Sequence, residues 1–215
     1  MKKLLPWLMV LGIFFVAACT KTASADASDK SSQSSANNTG TAVQETEKQL
    51  AAVPLKAAPW YGEKLEAMGF YVFPEPQAMP PFSVMGMDGK TIGIDSLAGK
   101  VVLLNFWATW CPPCRSEMPT METLHKFMNG RNFTIAAISV GEKRSTVSSF
   151  LADSPYSFPI YLDESGTVSR SFVGQGIPTT YILDKKGRAI AGVIGALSYS
   201  EPFVLELFKD LAEKL

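Results

Sequence analysis

The hydrophobic pattern divides the chain into three unlike stretches. Leu4 to Val16 is apolar, Thr20 to about Gln49 has hardly an apolar side chain, and beyond Leu50 apolar residues return in element-sized groups. Tyr61 to Gly69 predicts a short helix closed by Gly69, and Phe70 to Pro74 is too aromatic for a solvated linker, so it is expected to pack along the domain as a strap. Phe82 to Met85 and Thr91 to Ile94 flank the turn signal Met87-Asp88-Gly89-Lys90 and predict a β-hairpin. Lys100 to Trp107 is a continuous apolar run, the pattern of a strand buried on both faces. A helix is predicted from Pro112 to about Met128, kinked at Pro119 and ended by Gly130. Further strands are predicted at Phe133–Val140 and Phe158–Leu162, with helices at Arg144–Leu151 and Ser165–Phe172. Thr179–Leu183 and Arg188–Ile194 pair around Asp184-Lys185-Lys186-Gly187, and Glu201–Lys214 is a closing amphipathic helix. Alternating strands and helices followed by a hairpin and a helix imply an α/β fold, a mixed central sheet with helices on both faces.

The N-terminal stretch is a targeting segment rather than part of the fold. Lys2 and Lys3 precede the apolar run, which is shorter than the ~20 residues a spanning helix needs. It ends in Val16-Ala17-Ala18-Cys19, which resembles a bacterial lipobox, so Cys19 is expected to carry a lipid and anchor the protein to a membrane. An ordinary signal cleaved after Ala18 would leave Cys19 as an exposed free thiol outside the cytoplasm, a liability. The expected organisation is a leader over 1–18, a flexible tether over 19–49, an extension packing on the core over 50–79, and the main domain over 80–215. The tether cannot bury enough surface to offset its ordering entropy, and its root-mean-square reach is on the order of 30 Å.

Charge adds mainly exclusions. Lys+Arg and Asp+Glu both number 20, so no basic field argues for nucleic acid. The single histidine, His125, excludes His-rich metal chemistry and reads as a solvated helix residue. Three cysteines divide into one anchor and one pair, Cys111 and Cys114.

That pair carries the chemistry. Trp110-Cys111-Pro112-Pro113-Cys114 directly follows the buried-strand pattern. A turn from strand into helix brings the two thiols together, and the helix N-terminus favours a thiolate at Cys111. The competing readings are an inert disulfide staple or half of a zinc site, but zinc needs two more ligands and only Cys19 and His125 remain.

Asn105-Phe106-Trp107-Ala108-Thr109-Trp110-Cys111-Pro112-Pro113-Cys114, with Gly176-Ile177-Pro178-Thr179-Thr180 downstream, resembles the thioredoxin fold, and more closely the membrane-anchored TlpA/ResA-type thiol-disulfide oxidoreductases. The resemblance covers about Pro80 to Leu215, with an N-terminal β-hairpin and a central helix–strand insert over roughly Arg144 to Leu162. It implies that Cys111 is an exposed nucleophile, Cys114 the buried resolving thiol, and Ile177-Pro178 a cis peptide that offers backbone to a substrate strand. Trp110, Pro112, Ile177 and Pro178 are the implied substrate-binding residues. Asn105 stands where cytoplasmic thioredoxin has a buried acid, so that role is vacant. Glu117, matching an acid of the ResA-like group, is expected to tune or relay protons to the pair. Pro113 lacks an N–H that could stabilise the Cys111 thiolate, which points to a reducing pair.

The expected activity is therefore disulfide reduction in client proteins, with apocytochrome c the leading client, by a monomer in the bacterial envelope. No cofactor beyond the redox disulfide is expected. The resemblance implies a membrane electron donor of the CcdA/DsbD type. A peroxiredoxin-like peroxidase would need Thr where Ala108 stands, and a Sco-type copper chaperone needs a different cysteine spacing and a distal histidine. An oxidase or isomerase with the same site, or a binding lipoprotein with a structural disulfide, remain the other readings.

Overall fold

The computed structural model describes residues 58–215, so the leader 1–18, the anchor Cys19, the tether 19–49 and the start of the extension lie outside the described residues. Eight strands form one sheet in the order β1-β8-β7-β4-β5-β6-β2-β3. They are β1 (Tyr71–Ala78), β2 (Ser83–Gly86), β3 (Thr91–Gly93), β4 (Val101–Trp107), β5 (Phe133–Val140), β6 (Ile160–Asp163), β7 (Thr179–Leu183) and β8 (Arg188–Ile194). The helices are α1 (Gly62–Ala67), α2 (Pro112–Phe127), α3 (Arg144–Asp153), α4 (Ser169–Phe172) and α5 (Pro202–Lys214).

β4 sits at the centre, parallel to β5 and antiparallel to β7. All seven of its residues are buried, as the apolar run predicts. Alternation sends Val101, Leu103 and Trp107 to one face, where Leu65 of α1, Met118, Met121 and Leu124 of α2, Val147 of α3 and Leu207, Phe208 and Leu211 of α5 pack. Val102, Leu104 and Phe106 go to the other face, against Phe172 of α4 and Leu97 in a single 3-10 turn (Ile94–Leu97). Helices do cover both faces, but unequally.

The hairpin β2–β3 forms as predicted and joins the sheet through β2 and β6. Helix α2 passes through Pro119 without a break, the proline lying on its exposed side, and ends before Gly130, whose φ of 78° suits a residue without Cβ.

Three elements differ from expectation. The segment after Phe70 is a sheet strand, β1, paired antiparallel with β8, rather than a strap. Pro74 and Pro76 hide this in the sequence, and an irregularity between Val72 and Gln77 accommodates them at the sheet edge. The strand expected at Phe158–Leu162 runs instead over Ile160–Asp163. The helix expected from Ser165 begins only at Ser169, because the Asp163 carboxylate accepts the N–H groups of Val168 (3.3 Å) and Ser169 (2.7 Å) and holds the intervening residues in a turn.

Leu65 is fully buried in the same core as α2 and α5, so the described part of the extension, 58–79, belongs structurally to the described body. Leu65→Ala is expected to cost about 2–4 kcal/mol of unfolding free energy, readable as a lowered urea midpoint with unchanged slope.

Candidate active site

β4 delivers the chain to the edge of the core at Trp107, and α2 begins at Pro112, so Cys111 is the residue that caps the helix. Pro112 and Pro113 fill the first two helical positions and bring no N–H, which leaves the Cys114 N–H to point at Cys111 Sγ, 3.3 Å away. Cys111 and Cys114 are joined in a disulfide with their Cα atoms 5.3 Å apart. Cys114 is fully buried; Cys111, expected to be exposed, keeps only 3% of its surface in this oxidised state. The exposed surface belongs to its neighbours, Trp110 at 66%, Pro112 and Pro113.

The second strand-to-loop junction meets the first. Ile177-Pro178 is a cis peptide, and the Ile177 carbonyl oxygen lies 3.7 Å from Cys111 Sγ, where a reduced thiol can donate to it. Ile177 is half-buried and Pro178 buried. The four residues Trp110, Pro112, Ile177 and Pro178, 65 positions or more apart across the two loops, thus converge on one disulfide.

Beneath it lies a buried polar group that the sequence reading saw only in part. Glu117 is 1% exposed, one turn along α2 from Cys114. Asn105 Nδ2 donates to Glu117 Oε1 at 2.8 Å and to Thr180 Oγ1 at 2.9 Å, and the Leu197 N–H donates to Glu117 Oε2 at 3.3 Å. Asn105, standing where the acid role is vacant, is the partner of Glu117. Burial raises the Glu117 pKa to about 7, and the hydrogen bonds from Asn105 and Leu197 only partly offset that rise.

A second buried carboxylate, Glu142, escaped the sequence reading. It accepts from the Thr109 N–H (2.9 Å), the Thr109 hydroxyl (2.5 Å) and the Ser139 hydroxyl (2.7 Å), and so ties the loop before Cys111 to the end of β5. The available signal was an acid placed directly after a strand and the turn residue Gly141, whose φ is 69°. His125 is not solvated as expected; it is half-buried with its ring edge-on to Phe158, and burial lowers its pKa. Among the described residues, no group of three or more His, Cys, Asp and Glu side chains is placed to hold a metal ion.

Residues 76–190 match the AhpC/TSA family. The thiol-disulfide oxidoreductase ResA of Bacillus subtilis is 34% identical over 121 residues, which span 56% of this chain and 68% of that protein. The thioredoxin-like protein YneN of the same organism is 40% identical over 115 residues, 53% of this chain and 67% of the other. Among solved structures, a thiol:disulfide interchange protein of the thioredoxin family from Chlorobium tepidum is 32% identical with a TM-score of 0.56, covering 64% of this chain and 97% of that one. The fold is therefore thioredoxin-like, as the paired motifs imply.

Glu117 also sets a pH dependence of stability. Its folded pKa near 7 stands above the ordinary 4.5, so the fold favours the protonated form. The sign follows: stability is fully present below pH 4.5, falls as pH rises toward 7, and is flat above, a loss of up to about 3 kcal/mol. Glu117→Gln removes this titration. Urea unfolding from pH 4 to 9 should show the variant gaining on the native protein across that window, and parallel curves would place the carboxylate in water.

Proposed function

The chain belongs to the AhpC/TSA family and is a thiol-disulfide oxidoreductase, and on that footing we propose that it reduces the disulfides of client proteins outside the cytoplasm. One observation carries this reading: a disulfide at a helix N-terminus whose capping sulfur lies 3.7 Å from the carbonyl of the cis-proline loop. A structural staple has no need of an exposed Trp110 and two exposed prolines around it.

The cycle begins with the reduced pair. The Cys111 thiolate attacks one sulfur of a client disulfide, forming a Cys111–client bond as the other client sulfur leaves as a thiolate and takes up a proton. Cys114 then loses its proton and attacks Cys111 Sγ, which closes the Cys111–Cys114 disulfide and frees the second client thiolate. Two electrons have passed to the client. A dithiol protein in the membrane, of the CcdA/DsbD type, returns them. Apocytochrome c is the client we assign, and both assignments rest on the resemblance to the ResA-type proteins.

The direction of electron flow is supported by the capping geometry. A thiolate at Cys111 has one first-turn N–H directed at it, from Cys114, because both preceding helical positions are proline. Fewer donors stabilise the thiolate less, which makes the dithiol a better reductant. Glu117 serves as the proton acceptor for Cys114. A carboxylate poised near pH 7 can take a proton in one step and return it in another. A nearby thiolate would push its pKa further up, so the titrations of the pair and of Glu117 are coupled.

We place the protein on a membrane surface through a lipid at Cys19, with the tether letting the domain turn toward its clients. Cys19→Ala should then move the protein from the membrane to the soluble fraction, with disulfide reduction unchanged; retention on the membrane would point to an uncleaved leader.

The order of attack is tested by trapping. Cys114→Ser should accumulate a mixed disulfide through Cys111, visible by mass, while Cys111→Ser should accumulate little. Glu117→Gln should shift the pH profile of Cys111 alkylation and slow release of the mixed disulfide about tenfold or more. Equal trapping by both cysteine variants would reverse or remove the assignment of Cys111 as nucleophile.

A further inference from the structure

One part of the sheet is left open beside the cis-proline loop. The register aligns Tyr71, Gly192 and Tyr181 in one row across β1, β8 and β7, and Ile194 beside Thr179 in the next. Alternation puts all of them, with Phe73, on the same face. Gly192 notches that row, since a Cβ there would stand 3.1 Å from the Tyr181 ring and 3.5 Å from Phe73. The result is an open cleft of about 330 Å³, floored by Gly192 and walled by Tyr71, Phe73, Tyr181 and Ile194, with no charged residue in its lining. Tyr71 is 64% and Ile194 52% exposed, so the apolar surface is contiguous and faces water.

The cleft adjoins the cis-proline loop through Thr179. Thr179, at its inner end, follows Pro178, and the Gly195 N–H next to Ile194 donates to the Pro178 carbonyl at 2.8 Å. The adjacent Ile177 carbonyl is the group that touches Cys111 Sγ. The outer wall is preformed: Tyr71 meets Phe73 edge-on at 5.4 Å, and the Tyr181 hydroxyl donates to the Phe172 carbonyl at 2.7 Å. Of the cleft's residues, Tyr71 and Phe73 precede the span 76–190 matched by the family, and Gly192 and Ile194 follow it.

We propose that this cleft is a client subsite. It takes an uncharged apolar side chain, aromatic or branched aliphatic, carried about three residues from the client's disulfide cysteine. The proposal rests on the exchange reading of Cys111–Cys114. The spacing follows from geometry: Thr179 and Tyr71 are two strand separations and one two-residue step along the strand apart, about 12 Å, which an extended chain covers in three to four residues. The absence of charge in the lining selects an uncharged occupant. Pro74 and Pro76 withhold N–H groups from the β1 edge, so the client meets this region through a side chain rather than by adding a strand. Fixed walls lower the ordering cost of that contact.

The test compares two peptide disulfides, each a symmetric dimer of a single-cysteine peptide. One carries Phe three residues to either side of the cysteine, the other Ser at both places. The readout is the second-order rate at which each oxidises the reduced protein. The native protein should react roughly fivefold faster with the Phe peptide, the gain expected from partly burying one aromatic ring. Tyr71→Ser, and independently Ile194→Ser, should bring that ratio close to one. Equal rates in the native protein, or a ratio retained in both variants, would overturn the subsite. Hydroxyethyl disulfide separates the two ideas: if the native protein cannot reduce it, the exchange reading falls and the subsite with it, whereas reduction without peptide preference removes the subsite alone.

Discussion

A strand with no exposed residue must have both faces covered along its whole length, and β4 imposes that demand on everything around it. One consequence is chemical. Asn105 sits at the middle of that strand, where an amide without partners would cost roughly 1–3 kcal/mol. Its Nδ2 is satisfied by Glu117 from α2 and Thr180 from β7, while its Oδ1 has no hydrogen-bond partner, so the strand's polar interruption becomes the tie between the helix that carries the cysteines and the strand that follows Pro178. A second consequence is positional. Once β4 is enclosed, its C-terminal exit is where the chain leaves the core, and the cysteine pair occupies that exit.

Two carboxylates are buried around this exit, and they do different work. Glu142 receives three donors, from Thr109 and Ser139, and fixes the loop in front of Cys111. Glu117 receives one side-chain amide and one backbone N–H, too few to offset its burial, and stays close to half-protonated near neutral pH. Glu142 thus holds geometry, while the raised pKa of Glu117 lets that group titrate near neutral pH.

What the sequence displays follows from the range over which each feature is encoded. β4, α2 and the β7–β8 hairpin are written in contiguous residues: an apolar run, prolines at a helix start, and the turn at Asp184–Gly187, which the Asp184 carboxylate braces against Arg188 at 2.6 Å. The cysteine motif and Ile177-Pro178 are equally local, and the cis bond appears where expected. The pairing of Asn105 with Glu117 is not local, and neither is the contact of Glu117 with Leu197, 80 positions away. No periodicity announces such bonds. β1 was obscured for a different reason: its two prolines argue against a strand, and only its place at the edge of the sheet permits them. His125 looked solvated because its packing partner, Phe158, is distant in sequence, in the loop before β6.

Those prolines have a further consequence. An enzyme that handles client disulfides meets chains that are incompletely folded and rich in unpaired backbone. Any open sheet edge would recruit them indiscriminately and hold them after the chemistry was done. Here one terminal strand, β1, is interrupted by Pro74 and Pro76, and the other, β3, is three residues long. Among the described residues the sheet therefore offers partners a surface but scarcely a seam, which lets a client leave as readily as it arrives.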